Sequence, residues 1–295
     1  MQTTDKIWMD GKLVPWQDAK IHAVSHALHY GSSVFEGIRC YKTEQGTAIF
    51  KLKEHVERLF LSAETLQMKV PFSKEEIEQA IRETVKVNKL EAGYIRPLIF
   101  YGYGKMGLDP VGAPVNVLIA VWPWGAYLGN EAVKLKTAET IRLHPKSFKP
   151  EAKVGGFYVN SIYAHQEAKK AGFDEALMLD YEGHVAEGPG ENIFMMKDNK
   201  LITAKTGSIL PGITRSTILQ IAKDNNIETE ERIITPEELK AADEVFVVGT
   251  AAEVTPVKQI DDTILNTHEK AEFFRTTYLN IVQGKDDTYK DWLTF

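Results

Sequence analysis

Cysteine is nearly absent: Cys40 stands alone, so no intrachain disulfide can form and a reducing compartment is the natural expectation. No stretch approaches the roughly 20 apolar residues of a membrane-spanning helix. The start, Met1 to Trp8, is polar and lacks the apolar core of a signal peptide. A basic excess is missing too, since 35 Lys and Arg face 41 Asp and Glu, giving a net charge of −6 and a pI near 5.8. Duplex nucleic acid is bound through clustered cations, so it is not an expected partner. Repeats and low-complexity tracts are absent, and neither HExxH nor a phosphate-binding GxxxxGKS or GxxxxGKT pattern occurs. These absences leave a soluble, cytoplasmic protein with neither nucleic acid nor membrane as partner.

What is present suits a folded core. The 295 residues are 43% hydrophobic and 26% charged, ordinary for a globular protein. A domain typically holds roughly 100–200 residues, so one large or two medium domains are expected. Leu52, Val56, Leu59, Phe60 and Ala63 recur at helical spacing and predict a helix over 52–68. Ser73 and Glu76 stand in capping-box spacing before a second helix carrying Ile77, Ala80, Ile81 and Val85. Two apolar strands, Ile95–Tyr101 and Val115–Trp122, read as buried on both faces. The glycine-containing run from Trp124 to Asn130 then breaks the pattern and reads as a linker. The second half predicts strands near Ala176–Leu179, Asn192–Met196 and Glu244–Val248. Helices are expected near Tyr158–Ala171, Ile213–Asp224, Glu237–Ala241 and His268–Gln283, with Gly172 as a stop and Pro236 in a first turn. The result is two mixed α/β domains: 1–124, an interdomain loop at 125–133, and 134–295.

Several segments are candidates for chemistry. Gly102-Tyr103-Gly104-Lys105-Met106-Gly107 has dinucleotide-fingerprint spacing after a strand, but Pro110 and Pro114 follow where a helix must begin, so that reading is rejected. His22, His26 and His29 would share one helical face and could hold zinc, although no cysteine or carboxylate stands at ligand spacing. A non-catalytic metal-binding protein built on this trio is the rival from a different class. Lys153 lies in Ala152-Lys153-Val154-Gly155-Gly156-Phe157-Tyr158, where two glycines let the backbone come close to a bound group. Glu187-Gly188-Pro189-Gly190-Glu191-Asn192 places two carboxylates in a turn, as acid–base partners or as solvated charge. Leu210-Pro211-Gly212-Ile213-Thr214-Arg215 opens a helix whose free amides suit a phosphate, and the small residues Gly249-Thr250-Ala251-Ala252 make a second anion-binding turn.

Taken in order with Ser25-His26-Ala27-Leu28-His29-Tyr30-Gly31, Phe35-Glu36-Gly37-Ile38-Arg39, Tyr94-Ile95-Arg96-Pro97 and Trp124-Gly125-Ala126-Tyr127, these blocks resemble the branched-chain amino-acid aminotransferases. Those enzymes form a group within the class IV, fold-type IV pyridoxal-phosphate family. The resemblance runs from about Ile7 to Val257. It implies a two-domain mixed α/β (α+β) fold like that of D-amino-acid aminotransferase. It also implies transfer of the amino group of leucine, isoleucine or valine to 2-oxoglutarate.

The resemblance assigns roles residue by residue. Lys153 matches the lysine that carries pyridoxal 5'-phosphate as a Schiff base and shuttles a proton. Glu187 matches the carboxylate facing the pyridine nitrogen, and Tyr158 the phenol at O3′. Arg58, Ile213, Thr214 and Thr250 match the phosphate ligands, and Leu210 the residue packed on the ring. Tyr94, Arg96, Thr250 and Ala251 match the group holding the substrate carboxylate, while Phe35, Gly37 and Trp124 match walls of the side-chain pocket. Tyr30 and Leu108 would be lent by a second subunit of a homodimer, or of a hexamer built from dimers. The loop around Tyr127 would close on substrate. The histidine block occurs in this family without a metal, so no metal is expected. D-amino-acid aminotransferases and aminodeoxychorismate lyases share the lysine and glutamate and are the alternatives.

Overall fold

The computed structural model describes residues 2–125, 128–129 and 131–295. Tyr127 lies outside the described residues. The chain divides into two compact units, Met1–Gly125 with Ala152–Gly156 and Ile281–Phe295, and Ala126–Glu151 with Phe157–Asn280. This differs from the single cut at 125–133 read from sequence. Two short pieces cause the difference. Val154 forms a β-bridge with Val34, and the final strand pairs with residues 49–50, so both pieces add to the first unit.

The first unit is an antiparallel sheet flanked by helices. Its strands are β1 (Lys6–Met9), β2 (Lys12–Pro15), β3 (Ser33–Phe35), β4 (Ile38–Thr43), β5 (Gly46–Phe50), β6 (Gly93–Tyr101) and β7 (Val115–Trp122), closed by the last strand of the chain, Leu293–Thr294. Along the sheet the order is Leu293–Thr294, β5, β4, β6, β7, β1, β2, with β3 also paired to β6. The central strand β6 is buried nearly throughout, as its apolar run predicts. By contrast β7 alternates buried and half-buried positions, because in an antiparallel sheet one face needs no cover.

Helix α1 (His26–Tyr30) precedes β3, and α2 (Leu52–Thr65) and α3 (Lys74–Val87) connect β5 to β6. The buried face of α2 comprises Leu52, His55, Val56, Leu59, Ser62 and Ala63, so two polar residues replace the expected Phe60. In α3 the predicted capping box is present: Ser73 Oγ accepts from Glu76 N at 3.1 Å, and Ser73 N donates to Glu76 Oε2 at 2.7 Å.

The second unit contains β8 (Val133–Thr137), β9 (Glu175–Leu179), β10 (Val185–Glu187), β11 (Asn192–Lys197), β12 (Lys200–Ala204), β13 (Thr229–Arg232), β14 (Glu244–Gly249), β15 (Glu253–Ile260) and β16 (Thr263–Ile264). Their order is β10-β9-β8-β15-β14-β11-β12-β13, with β16 on β15. The sheet is mixed, for β8 runs parallel to both β9 and β15. Helices α4 (Tyr158–Lys170), α5 (Ile213–Asp224), α6 (Pro236–Lys240) and α7 (Glu269–Val282) fall within two residues of their expected bounds. Ile193, Met195, Val245, Val247 and Val257 form a buried cluster, while Phe194 stacks on Phe246 at 5.3 Å and Phe246 on Phe274 at 5.5 Å. Pairing of Asn192 with Val248 sets the turn before β11 and the hairpin after β14 at one end of the sheet. That end carries most of the second unit's candidate residues.

Candidate active site

In the first unit the backbone around Lys153 is pinned on both sides. Phe35 N donates to the Lys153 carbonyl at 3.1 Å, and Lys153 N donates to Ser62 Oγ at 2.9 Å. Gly156 N donates to the Gly31 carbonyl at 3.1 Å. A Cβ at Gly155 would meet Ser33 Oγ at 2.3 Å, and one at Gly156 would meet the Gly31 carbonyl at 3.0 Å. Gly155 thus leaves room for the Ser33 side chain, and Gly156 for the Gly31 backbone. The Lys153 side chain is half-buried, with Nζ 5.0 Å from the centre of the Phe35 ring.

Arg58 is held by a residue that sequence reasoning passed over. Glu36, fully buried, accepts from Arg58 Nε on Oε1 at 2.7 Å and from Nη2 on Oε2 at 2.9 Å, and His55 Nδ1 lies 2.8 Å from that same Oε2. Burial alone would raise the Glu36 carboxyl. The Arg58 charge, with hydrogen bonds from His55 and Arg58, outweighs it and holds Glu36 well below the usual carboxylate range. Burial lowers the His55 imidazole, against the pull of Glu36, so His55 sits as a neutral ring with its Nδ1–H toward the carboxylate. The only sequence signal was His55 and Arg58 at i, i+3 spacing on α2, one helical face. Removing a buried partner strands a charge, so Glu36→Ala is expected to destabilise the protein by about 3–5 kcal/mol, measured by urea unfolding. A loss below about 1 kcal/mol would mean that Arg58 finds another anchor.

The substrate-pocket residues expected on this unit do gather. Tyr94 and Arg96, two apart on β6, share a face, and Arg96 Nη2 donates to the Tyr94 hydroxyl at 2.8 Å. The Arg96 guanidinium lies 4.6 Å from the Phe35 ring centre and 5.1 Å from that of Tyr94. Its Nε is buried without a partner among the described residues, a donor left for an incoming acceptor. Gly37 is required here, because a Cβ would meet the Tyr94 hydroxyl at 2.1 Å. Trp124 stands edge-on to Tyr94 at 4.6 Å, and the buried Arg39 holds its carbonyl at 2.6 Å and that of Gly125 at 2.8 Å. Tyr30 and Leu108 are 44% and 91% exposed.

The histidine trio does not share a helical face, because α1 starts only at His26. His22 stacks on Tyr103 at 4.0 Å, and His29 Nε2 lies 2.9 Å from the Ala23 carbonyl. His26 bridges Ser32 Oγ and the Gly107 carbonyl, both at 2.7 Å. The run from Gly102 to Gly107 is loop with no helix after it.

In the second unit Glu187, at the end of β10, gathers donors. Arg142 Nε reaches Oε1 at 2.7 Å, Asn192 Nδ2 reaches Oε2 at 2.9 Å, and Leu210 N lies 3.1 and 3.2 Å from the two oxygens. Such a donor set suits an ionised carboxylate. Arg142 and Asn192 were not singled out from sequence. Arg142 comes from an irregular segment after β8 that carries no periodic signal. Asn192 also donates to the Leu210 carbonyl at 2.9 Å, which fixes the loop into α5. A Cβ on Gly212, the N-cap of α5, would meet Asn192 Oδ1 at 2.0 Å, so a side chain there would displace the Asn192 amide from its bonds to Glu187 and Leu210.

Without a capping side chain at Gly212, the first amides of α5, at Ile213 and Thr214, remain for an anion. Thr250 and Ala251 form the tip of the three-residue hairpin between Gly249 and Glu253, with Glu253 at φ +54°. Tyr158 opens α4, half-buried.

The donors and acceptors therefore fit pyridoxal phosphate unit by unit. The first offers an amine and an anchored guanidinium. The second offers a fixed carboxylate, a phenol and an uncapped helix end.

Residues 33–260 match the family model described as amino-transferase class IV. The chain belongs to that family. A branched-chain-amino-acid aminotransferase of Pseudomonas aeruginosa is 46% identical, over 98% of this chain and 96% of the relative. The class IV chain also resembles a probable branched-chain-amino-acid aminotransferase of Aquifex aeolicus, at 38% identity over 98% of this chain and 96% of that protein. Among solved structures, the T.th. branched-chain amino acid aminotransferase complexed with N-(5'-phosphopyridoxyl)-L-glutamate superposes with a TM-score of 0.97. It is 46% identical and covers 100% of this chain and 99% of its own. The Thermoproteus uzoniensis branched-chain aminotransferase with norvaline gives 0.96 at 43% identity, covering 99% of each chain. The fold expected from sequence, a two-domain mixed α/β architecture of fold-type IV, is the fold of this class IV aminotransferase.

Proposed function

We propose that this class IV aminotransferase is a pyridoxal-phosphate-dependent branched-chain-amino-acid transaminase, moving the amino group of L-leucine, L-isoleucine or L-valine to 2-oxoglutarate. The observation that carries this reading is the side-chain cluster around β6. Phe35, Tyr94 and Trp124 give an apolar wall, and Arg96 beside them keeps a buried, unpartnered Nε. Such a wall takes a branched hydrocarbon side chain, and the arginine takes the second carboxylate of glutamate. Full-length likeness to branched-chain enzymes supports it.

Bound pyridoxal phosphate supplies an aldehyde for the amino group and a protonated ring that accepts electron density. The residues do the rest. Lys153 Nζ holds the cofactor and moves the proton at the substrate Cα. Glu187, fixed by Arg142, Asn192 and Leu210 N, holds the proton on the ring nitrogen. Tyr158 would meet the ring hydroxyl, and Leu210 would pack on the ring. Arg58, anchored by Glu36, neutralises the phosphate with the Ile213 and Thr214 amides and Thr250. Tyr94, Arg96, Thr250 and Ala251 would hold the substrate carboxylate, and Gly37 leaves room for the Tyr94 phenol.

The exposed Leu108, 91% open, and Tyr30 are read as lent to the site of a partner subunit in a homodimer, with a hexamer as the larger assembly. Among the described residues no helix is long and apolar enough to cross a membrane, and the cytoplasm is the proposed compartment.

The test is a substrate panel with 2-oxoglutarate. L-Leucine is expected to exceed D-alanine and an aromatic amine by about tenfold or more in kcat/KM. A preference for D-alanine would move the enzyme to the D-amino-acid branch of the family. Light scattering of the purified protein decides the assembly.

A further inference from the structure

Ser62 is a polar residue where its helix has no local use for one. It lies on the buried face of α2 beside Val56, Leu59 and Ala63, and it is fully buried. Alanine would suit a helix interior better and would bury no hydroxyl. Ser62 Oγ donates to the Arg58 carbonyl at 2.8 Å and accepts from Lys153 N at 2.9 Å. A hydroxyl has one proton to give, and a carbonyl only accepts. That proton is therefore committed to α2, and a lone pair faces the Lys153 amide.

The segment that carries Lys153 is short. Ala152–Gly156 joins the first unit, while the residues before and after it belong to the second. Its bonds to Phe35 N, Val34 and Gly31 run to β3 and to the cap of α1. The Ser62 bond runs to α2, where Arg58 lies one helical turn earlier.

Together these contacts close a ring. From the Lys153 carbonyl it passes to Phe35 N and on to the next residue, Glu36. The Glu36 carboxylate holds the Arg58 guanidinium. From Arg58 it follows α2 to Ser62 and returns to Lys153 N. Both backbone groups of Lys153 are thus fixed relative to Arg58. The two cations also act on one neighbour. Burial first, and then the Arg58 and Lys153 charges, lower the His55 imidazole against the pull of Glu36.

We propose that Ser62 is a positioning residue that sets the reach of the Lys153 amine relative to the Arg58 guanidinium, so that the pair matches the aldehyde and the phosphate of one pyridoxal phosphate. This role rests on the reading of Lys153 and Arg58 as cofactor ligands.

Pyridoxal phosphate offers two handles. Arg58 takes the phosphate, and the aldehyde condenses with the Lys153 amine, a C=N bond forming as water leaves. Pyridoxamine phosphate has the same ring and phosphate but carries an amine, so it makes no bond to the lysine. A shift of Lys153 alone therefore weakens the first compound and leaves the second as it was.

The test is titration of the full-length, cofactor-stripped enzyme with each compound, followed by intrinsic fluorescence. Ser62→Ala is expected to weaken pyridoxal phosphate by about tenfold and pyridoxamine phosphate by less than about twofold, the first being the size of one buried donor left without its acceptor. Ser62→Cys fills the same space with a poor acceptor and should show the same split, so the result is still readable if the alanine variant does not fold. Equal weakening of both compounds would make Ser62 a structural residue of α2 and overturn the positioning role. Unchanged affinity for pyridoxal phosphate would overturn it too. Lys153→Ala separates this role from the reading beneath it. It should shift the ratio of the two affinities toward pyridoxamine phosphate, and adding Ser62→Ala should then change nothing further. If Lys153→Ala leaves the ratio unmoved, the reading of Lys153 fails and takes the role of Ser62 with it. If Lys153→Ala moves the ratio and Ser62→Ala does not, Lys153 stands and the role of Ser62 alone fails.

Discussion

Lys153→Ala is expected to abolish transamination, lowering kcat by on the order of 10⁴-fold or more, as when a covalent nucleophile is removed elsewhere. The fold should survive. The backbone there is held by the Phe35 amide, the Ser62 hydroxyl and the Val34 bridge, none of which uses the lysine side chain. The loss is therefore chemical: no amine remains to hold the cofactor or to carry the proton. Lys153→Arg should fail equally, because a guanidinium keeps its proton at neutral pH and cannot act as a nucleophile. Stopped-flow absorbance of the reconstituted protein, together with kcat, checks both variants. A Lys153→Ala protein within about tenfold of wild-type kcat would remove this residue from the mechanism.

Glu187→Gln is expected to retain cofactor and lose kcat by on the order of 10²–10⁴-fold, the range spanned by a misplaced proton in acid–base chemistry. The reason lies in the donors. Both carboxylate oxygens accept, from Arg142, Asn192 and Leu210 N. A glutamine offers one acceptor oxygen and turns an NH₂ group toward a neighbour that also donates. Its neutral head no longer favours a proton on the ring nitrogen opposite. An unsatisfied buried donor costs about 1–3 kcal/mol, so a modest fall in Tm should accompany the kinetic loss. An unchanged kcat with full cofactor occupancy would exclude Glu187 as the ring-nitrogen partner.

Local signals carried far in this chain. The capping box at Ser73 and Glu76, the stop at Gly172 and the start at Thr235-Pro236 each depend on neighbours within four residues, and each is seen. The strands of the second unit were only partly legible. Short strands such as β10, β12 and β13 carry too few residues for a period of two to stand out, and they form because the sheet offers partners. The shared helical face of the histidines failed for a similar reason. Periodicity alone put His22, His26 and His29 on one helix, yet α1 is five residues long and excludes the first.

The site divides along the same line. Lys153 and Glu187 sit in short, ordered blocks; their residue types alone left several readings open, and it was the resemblance of those blocks, in order, to the family that assigned their roles. The partners that fix them come from remote segments. Glu36 meets Arg58 across 22 positions, Arg142 meets Glu187 across 45, and Ser62 meets the Lys153 amide across 91. A hydrogen bond needs its atoms within about 3 Å, and only the folded chain sets that separation. Sequence determined which groups could react. Tertiary structure decided which charges are buried, which are paired, and therefore which forms they hold.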